Sequence, residues 1–528
     1  MNKLVRIWHT IKYLKLIQLY YQLRIRLIPN TQPKQFSSIK TIKRFPLVLT
    51  NTGITLTPSL RGLDNFSFLN IEHTFNNNID WNISTYGKLW TYNLTYFEFL
   101  NQDETGKEYG LQLINDFIDK LDAIKDGNEP YPTSLRCINW IKFISNNDIN
   151  DRDIDMSLFS QYNYLLENLE YHLLGNHLLE NGFSLLLGSY YLKNEKFYKK
   201  AKSLLLNQLE EQVLTDGGHF ELSPMYHKIL LFRVLDSINV INNNPWKQDA
   251  LLGFLNSKAQ LMLGWLETMT YSNGQTANVN DSTNGIAPST YELTNYAKKL
   301  GLSWNAQTLG TSGYRIFKKG NFEVLVDIGN IGPDYIPGHA HADTFNFELV
   351  TDGIPIIVDT GISTYEKNNK RHIERSTFSH NTVLLEEQNQ SDVWGGFRVG
   401  KRAKITSLKE TKNFVKASHN GYKNLGLEHS RSFQVEENIV TISDSLKGNP
   451  SLKHHPKATF HFHPNIKAKL INASIIINDT ALEIQFSNAE KIKLENYNYC
   501  NGFNQTLISQ MAVVEFTDSL TTTISLNR

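Results

Sequence analysis

The sequence predicts a multidomain α + β chain in which many helices in series are followed by an all-β half. Two observations carry this: between about residues 107 and 300 apolar residues recur at helical spacing, and near residue 312 the period shortens to that of strands. A third is length, since 528 residues allow two to four domains of ordinary size.

In the helical part, KEYGLQLINDFIDKLDAI, SLRCINWIKFI, LFSQYNYLLENLEYHLL, NGFSLLLGSYYL, FYKKAKSLLLNQLEEQVL, MYHKILLFRVLDSINVI and QDALLGFLNSKAQLMLGWLETM follow one another across short polar links. Helices without intervening strands make a bundle, solenoid or toroid, and the lack of a fixed-period repeat disfavours the solenoid. In the β part, RIFKKGNFEVLVDIG, TFNFELVTDGIPIIVDTG, NTVLLEE, RSFQVEENIVTISDSL, ATFHFHP, ASIIINDTALEIQFS and AVVEFTDSLTTTISL are short, β-branched and bounded by turn residues. Asp352-Gly353 between two such runs reads as a hairpin turn, and the whole as an antiparallel sandwich. The boundaries expected are 1–80 for a lead-in segment, 81–311 for the helical domain and 312–528 for the sandwich, with a cleft between the last two.

The first residues, MNKLVRIWHTIKYLKLIQLYYQLRIRLIP, interleave Lys and Arg with apolar side chains and lack the uncharged core of a signal peptide. They read as one basic amphipathic helix ended by Pro29 and Pro33, either packed on its own domain or in peripheral contact with an anionic membrane. A cytoplasmic or membrane-peripheral location is the default that follows.

Composition narrows the function. With 53 Lys and Arg against 52 Asp and Glu, the net charge of +1 argues against nucleic-acid binding by bulk positive charge. Two cysteines, Cys137 and Cys500, exclude a disulfide framework or a Cys-rich zinc ribbon and leave one long-range bridge open. No run of 18 apolar residues is present to span a membrane.

Two constellations could carry chemistry. His339 and His341 lie in PGHAHADTF before a strand, His380 at the start of another, and Asp359 ends the strand that hairpins back towards His341. Two imidazoles and a carboxylate suit zinc, with separate hydrogen-bonded structural roles as the alternative. In the helical half, GNHLLEN supplies Asn176, His177 and Glu180, with His177 and Glu180 on one face if the stretch is helical. DGGHFELSPMYH puts Tyr226 at a helix start after Pro224, beside His219, Glu221 and His227. A tyrosine among histidines suits proton transfer, and a core tyrosine with capping histidines is the plain alternative.

With GNHLLEN, DGGHFELSPMYH, GHAHADTFNFEL, IVDTG, RSTFSHNTV and QSDVWGGFRVG in this order, the chain resembles the heparinase II/III family of polysaccharide lyases over roughly residues 81 to 420. The resemblance implies an N-terminal α/α toroid, a C-terminal antiparallel β-sandwich and a substrate cleft between them. It implies β-elimination at a uronic acid, with Asn176 and His177 holding the sugar carboxylate and Tyr226 moving the C5 or O4 proton. His339 would face Tyr226 across the cleft, and Glu180 would orient His177. His341, Asp359 and His380 match the family's metal ligands, so a structural zinc is expected.

Arg371 and Arg375 could grip a carboxylate or sulfate, and Tyr365 and Trp394 could stack on sugars, or all four could serve as surface or packing residues. The substrate-binding expectation rests on Glu180, Tyr365, Arg375 and Trp394. Family relatives are often periplasmic, and those with a basic N-terminal helix and LWTYNLTYFEFL look associated with bacterial surface-polysaccharide production. A non-catalytic glycan-binding or assembly protein, and a metal-dependent hydrolase, are the competing readings.

Overall fold

The structure is a computed structural model that describes residues 3–28, 42–55, 57–76, 78–448, 455–478 and 480–526. Pro29 and Pro33 lie outside the described residues. The N-terminal segment is two helices, Lys3–Ile11 and Leu16–Leu27, where one was expected. A three-stranded antiparallel sheet, Leu60–Gly62, Asn65–Phe68 and Ile71–Thr74, follows before the first helix of the toroid, Lys88–Tyr96.

The helical half contains the expected series, Lys107–Lys120, Pro130–Asn146, Arg152–Glu167, Gly175–Leu192, Glu195–Gln212, Pro224–Asn243 and Ala250–Met269, and adds Thr290–Lys299. Cap chemistry explains several of the starts. Asp151, Asn194, Ser223 and Asp249 each accept a backbone N–H of the first turn, and Pro224 occupies the position where a missing N–H costs nothing. One continuous core of Leu, Ile, Phe, Trp and Tyr runs through these helices.

The β half is built on two large antiparallel sheets, with a two-stranded ribbon, Val393–Trp394 and Arg398–Val399, beside them. Tyr314–Lys319, Phe322–Asp327, Phe347–Thr351 and Ile354–Ile357 pair in sequence order as one sheet, and a ten-stranded sheet includes the long hairpin Leu482–Gly502 and Gln505–Leu526. Side chains from both sheets, among them Phe322, Val324, Phe347, Phe433, Ile442 and Val514, share one core, which makes the half a sandwich. Asp352 and Gly353 turn the hairpin with φ of 51° and 76°, the positive values a two-residue turn of this hand requires.

The halves are joined by a small apolar cluster of Trp265, Met269, Tyr271, Tyr314, Leu325 and Val350, and by the segment between Tyr271 and Thr283. There Tyr271 donates to Glu348 at 2.9 Å and Asn280 donates to the Tyr314 hydroxyl at 2.9 Å. Cys137 and Cys500 are both buried and unbridged.

Candidate functional site

The Gly175–Leu192 helix starts from a strained corner. Leu174 has φ 63° and ψ −148°, a region that costs an L residue about 1–3 kcal/mol, and Gly175 follows at φ 56°. The positive φ is what favours glycine at 175, and a Cβ there would also press on Glu221 Oε1 at 2.9 Å. The corner turns Asn176 and His177 outward in the first helical turn. The Asn176 backbone N–H donates to Glu221 Oε1 at 3.1 Å, and His177 Nδ1 donates to Glu170 Oε1 at 3.2 Å. The Tyr131 ring lies 4.7 Å from that of His177. Ser223, which caps the Pro224–Asn243 helix, also donates to the Asp281 carbonyl at 2.9 Å. This fixes Tyr226 in the first turn beside the segment that crosses to the β half.

His339 stands on the loop before the Phe347–Thr351 strand, and its ring centroid is 4.0 Å from that of Tyr226. The Tyr226 hydroxyl lies 3.1 Å from the hydroxyl of Tyr365. Beneath them is Asp281. It accepts from His339 Nδ1 at 2.8 Å, from His341 Nε2 at 2.9 Å and from both terminal nitrogens of Arg371 at 2.5 and 2.6 Å. His339 Nε2 lies 3.4 Å from Glu221 Oε2.

Exposure separates two layers. Asn176, His177, Tyr226, His339 and Tyr365 are half-buried, whereas Glu170, Glu221, Asp281 and Arg371 beneath them are buried. The lower layer sets the charges of the upper one. Burial alone would raise the Asp281 pKa, but Arg371 and the two imidazoles outweigh it and hold the carboxyl well below its usual range. Burial opposes charge on His177, yet the Glu170 carboxylate prevails and raises its pKa. Burial, helped by Tyr365, pushes the Tyr226 phenol well above its ordinary value, so at neutral pH it holds its proton.

The family described as Heparinase II/III N-terminus matches residues 133–301, and Heparinase II/III-like, C-terminal matches residues 302–527, so the two together span most of the sequence. The chain belongs to the heparinase II/III family. Among curated relatives, a heparin-sulfate lyase of Bacteroides stercoris is 25% identical over 336 residues, covering 56% of this chain and 46% of the relative. FtsZ-localized protein C of Caulobacter vibrioides is 25% identical over 310 residues, covering 52% of this chain and 50% of the relative. The chain thus spans about half the length of the curated relatives it matches.

Solved heparinase structures share the fold. A heparinase III superposes with a TM-score of 0.67 at 14% identity, over 97% of this chain and 90% of that one. A mutant of the heparan sulfate lyase HepC from Pedobacter heparinus gives 0.60 at 16% identity, over 96% and 87%.

Not every residue expected in the heparinase II/III-type cleft lies there. Glu180 is buried and pairs with Arg233 at 2.8 Å; the hydrogen bond that orients His177 comes from Glu170 instead. Arg375 is also buried, with its donors spent on the carbonyls of Ala340 and Gly396, so it braces the His339 loop and cannot grip a substrate anion. Trp394 packs outside the cleft, donating to Thr10 at 3.3 Å with Arg398 over its ring at 4.9 Å. Tyr365 does reach the site, and Phe397 adds a ring 6.3 Å from His339.

His341, Asp359 and His380 gather beside the cleft, with the two imidazole rings 5.2 Å apart and His380 Nδ1 donating to Asp359 Oδ2 at 2.9 Å. Asp359 also accepts from Asn346 at 2.6 Å and from the Gly361 N–H at 2.9 Å. The second nitrogens, His341 Nδ1 and His380 Nε2, are buried without a hydrogen-bond partner, and so is Asp343 Oδ2. Among the described residues no three His, Cys, Asp or Glu side chains converge as a finished metal site. Even so, the Asp359 carboxylate and His380 Nδ1, 2.9 Å apart and with the His341 ring 5.2 Å from that of His380, are donor types that a divalent ion takes.

The sequence reading missed Asp281 and Glu170. Asp281 stands in the polar stretch NVNDSTNG and Glu170 near the end of the apolar-periodic run LFSQYNYLLENLEYHLL; in neither does the pattern say what the acid pairs with, so each is found only through its partner.

Proposed function

We propose that the protein is a polysaccharide lyase that cleaves a uronic-acid-containing glycan by β-elimination. The observation that carries this is the 4.0 Å approach of the Tyr226 and His339 rings, one from each half of the chain. In this reading Asn176 and His177 bind the uronate carboxylate, the raised pKa of His177 supplying the positive charge that makes C5 acidic enough to lose its proton. His339, whose Nδ1–H is committed to Asp281, takes the C5 proton on Nε2. The electron pair forms the C4–C5 double bond, the C4–O4 bond breaks, and O4 takes the phenolic proton of Tyr226. Solvent then returns a proton to Tyr226 and removes one from His339. A phenol whose pKa lies well above neutrality favours Tyr226 as the acid. The heparin-sulfate lyase and heparinase relatives support the glycan class, and a bacterial surface polymer is the first candidate substrate to try.

A divalent metal, zinc by donor type, would be held by His341, Asp359 and His380, taking the place of the proton that His380 Nδ1 shares with Asp359. It would stiffen the strand and loop that present His339, and elimination needs no metal-bound water. Metal analysis of the purified protein, and a fall in unfolding temperature on chelation, test it.

The decisive experiment offers acidic glycans and follows ultraviolet absorbance of the unsaturated product. Absorbance abolished by Tyr226→Phe supports the lyase. Cleavage without unsaturation would indicate hydrolysis, and intact polymer with binding that survives Tyr226→Phe would indicate a glycan-binding protein.

A further inference from the structure

Polar side chains tie the two N-terminal helices to the rest of the chain. On Lys3–Ile11, Arg6 grips both oxygens of Asp392 at 2.8 and 2.9 Å, and Thr10 accepts from Trp394. On Leu16–Leu27 the buried residue is Gln18, whose amide donates to the Leu173 carbonyl at 3.2 Å. Solvent meets many of their apolar side chains, with Lys3, Lys12 and Arg26 among them. Leu4, Trp8 and Ile11 form one stripe, and Leu16, Tyr20, Leu23 and Leu27 form another at helical spacing, exposed by 85, 63, 58 and 79%. Ten exposed large hydrophobic side chains lie between Leu4 and Ile28, against 13 in all other described residues. Such a concentration marks an interaction surface.

Charge narrows the partner. Eleven Lys and Arg and no Asp or Glu precede Asp64, so the remainder of this near-neutral chain is net acidic. Among the described residues Lys3, Lys12, Arg24 and Arg26 pair with no carboxylate. A second copy meeting this face through a two-fold axis would set these cations against themselves with no acid between them. An anionic bilayer meets both demands. Apolar stripes sink to the headgroup–acyl boundary, Trp8 and Tyr20 sit at the depth where amphipathic rings are favoured, and Lys and Arg reach anionic headgroups. Among the described residues no helix is long and apolar enough to cross a membrane, which fits helices lying in the surface.

We infer that the Lys3–Ile11 and Leu16–Leu27 helices are a docking surface for an anionic lipid bilayer. This stands apart from the lyase reading. It also bears on the cleft, because the hairpin that Arg6 and Thr10 hold, Val393–Trp394 with Arg398–Val399, carries Phe397 to within 6.3 Å of His339.

The test is sedimentation of the full chain with vesicles of phosphatidylcholine alone and of phosphatidylcholine with a third phosphatidylglycerol. The expected result is binding to the anionic vesicles at least tenfold tighter than to neutral ones, weakened by salt. Trp8→Glu and Leu23→Glu, both at exposed positions, should each reduce it more than tenfold without moving the unfolding temperature. Lys12→Gln and Arg24→Gln should weaken it by about fivefold each. Binding to neither vesicle, or equal binding by the parent and Leu23→Glu, overturns the inference. So does a concentration-dependent dimer that Leu23→Glu abolishes, since a second copy would then cover the stripes.

Discussion

Asp281, contributed by the helical half, receives the Nδ1–H of His339, contributed by the β half, at 2.8 Å. The same carboxylate takes both terminal nitrogens of Arg371. Asp281→Asn should therefore fail twice. Replacing the anion leaves Arg371 buried and uncompensated, a loss of about 3–5 kcal/mol, and it frees His339 to adopt the wrong tautomer. Asp281→Asn with Arg371→Met should regain much of the unfolding temperature but none of the turnover, and calorimetry beside the absorbance assay separates the two effects.

Glu170→Gln should act on binding through His177. Removing the carboxylate that raises the His177 pKa moves its titration to lower pH. If cationic His177 holds the uronate, KM should begin to rise at a lower pH in the variant than in the parent. An NMR titration of the imidazole would report the same displacement, and an unchanged midpoint would detach Glu170 from His177.

Gly175→Ala should distort the corner that presents Asn176 and His177. A Cβ would enter a positive-φ position and lie 2.9 Å from Glu221 Oε1, for a loss of about 1–2 kcal/mol. Turnover should fall more than stability does, because the shifted residues are those facing the cleft. Chemical denaturation and steady-state kinetics on one preparation check the ratio.

Acid should unfold the protein through its buried neutral histidines. Burial pushes the His227 pKa down to about 3 and holds His419, paired with His429, well below its usual value. An imidazole whose folded pKa lies below its unfolded value of about 6.5 stabilises fully above that value and loses the contribution as pH falls through and below it. Each such group should cost about 1.4 kcal/mol per pH unit below roughly 6. The denaturation midpoint followed from pH 7 to 4 should fall, and His419→Gln should flatten its slope.

Much of the fold was legible because each half keeps one period. The helical series and the sandwich strands follow directly from spacing, as does the Asp352-Gly353 turn. The two faces of the cleft were legible at Tyr226 and His339, whose motifs sit at element starts. Long-range charge pairing was not. Glu180 and Glu170 look equivalent as acids near His177, and only the toroid's packing gives Glu180 to Arg233. Arg375 and Trp394 carry binding-type side chains, but the contacts that occupy them, Ala340, Gly396 and Thr10, lie far off in sequence. The N-terminal stretch reads as one helix and is two, because the break at residues 12–15, Lys-Tyr-Leu-Lys, carries no proline or glycine to mark it.

The crossing of Asp281 from one half to the other has a practical consequence. Neither lobe could be exchanged with a relative's as an independent module, since the incoming piece would arrive without its electrostatic counterpart. A chimera would have to be joined before residue 281, so that the aspartate, the imidazole it orients and Arg371 come from a single parent.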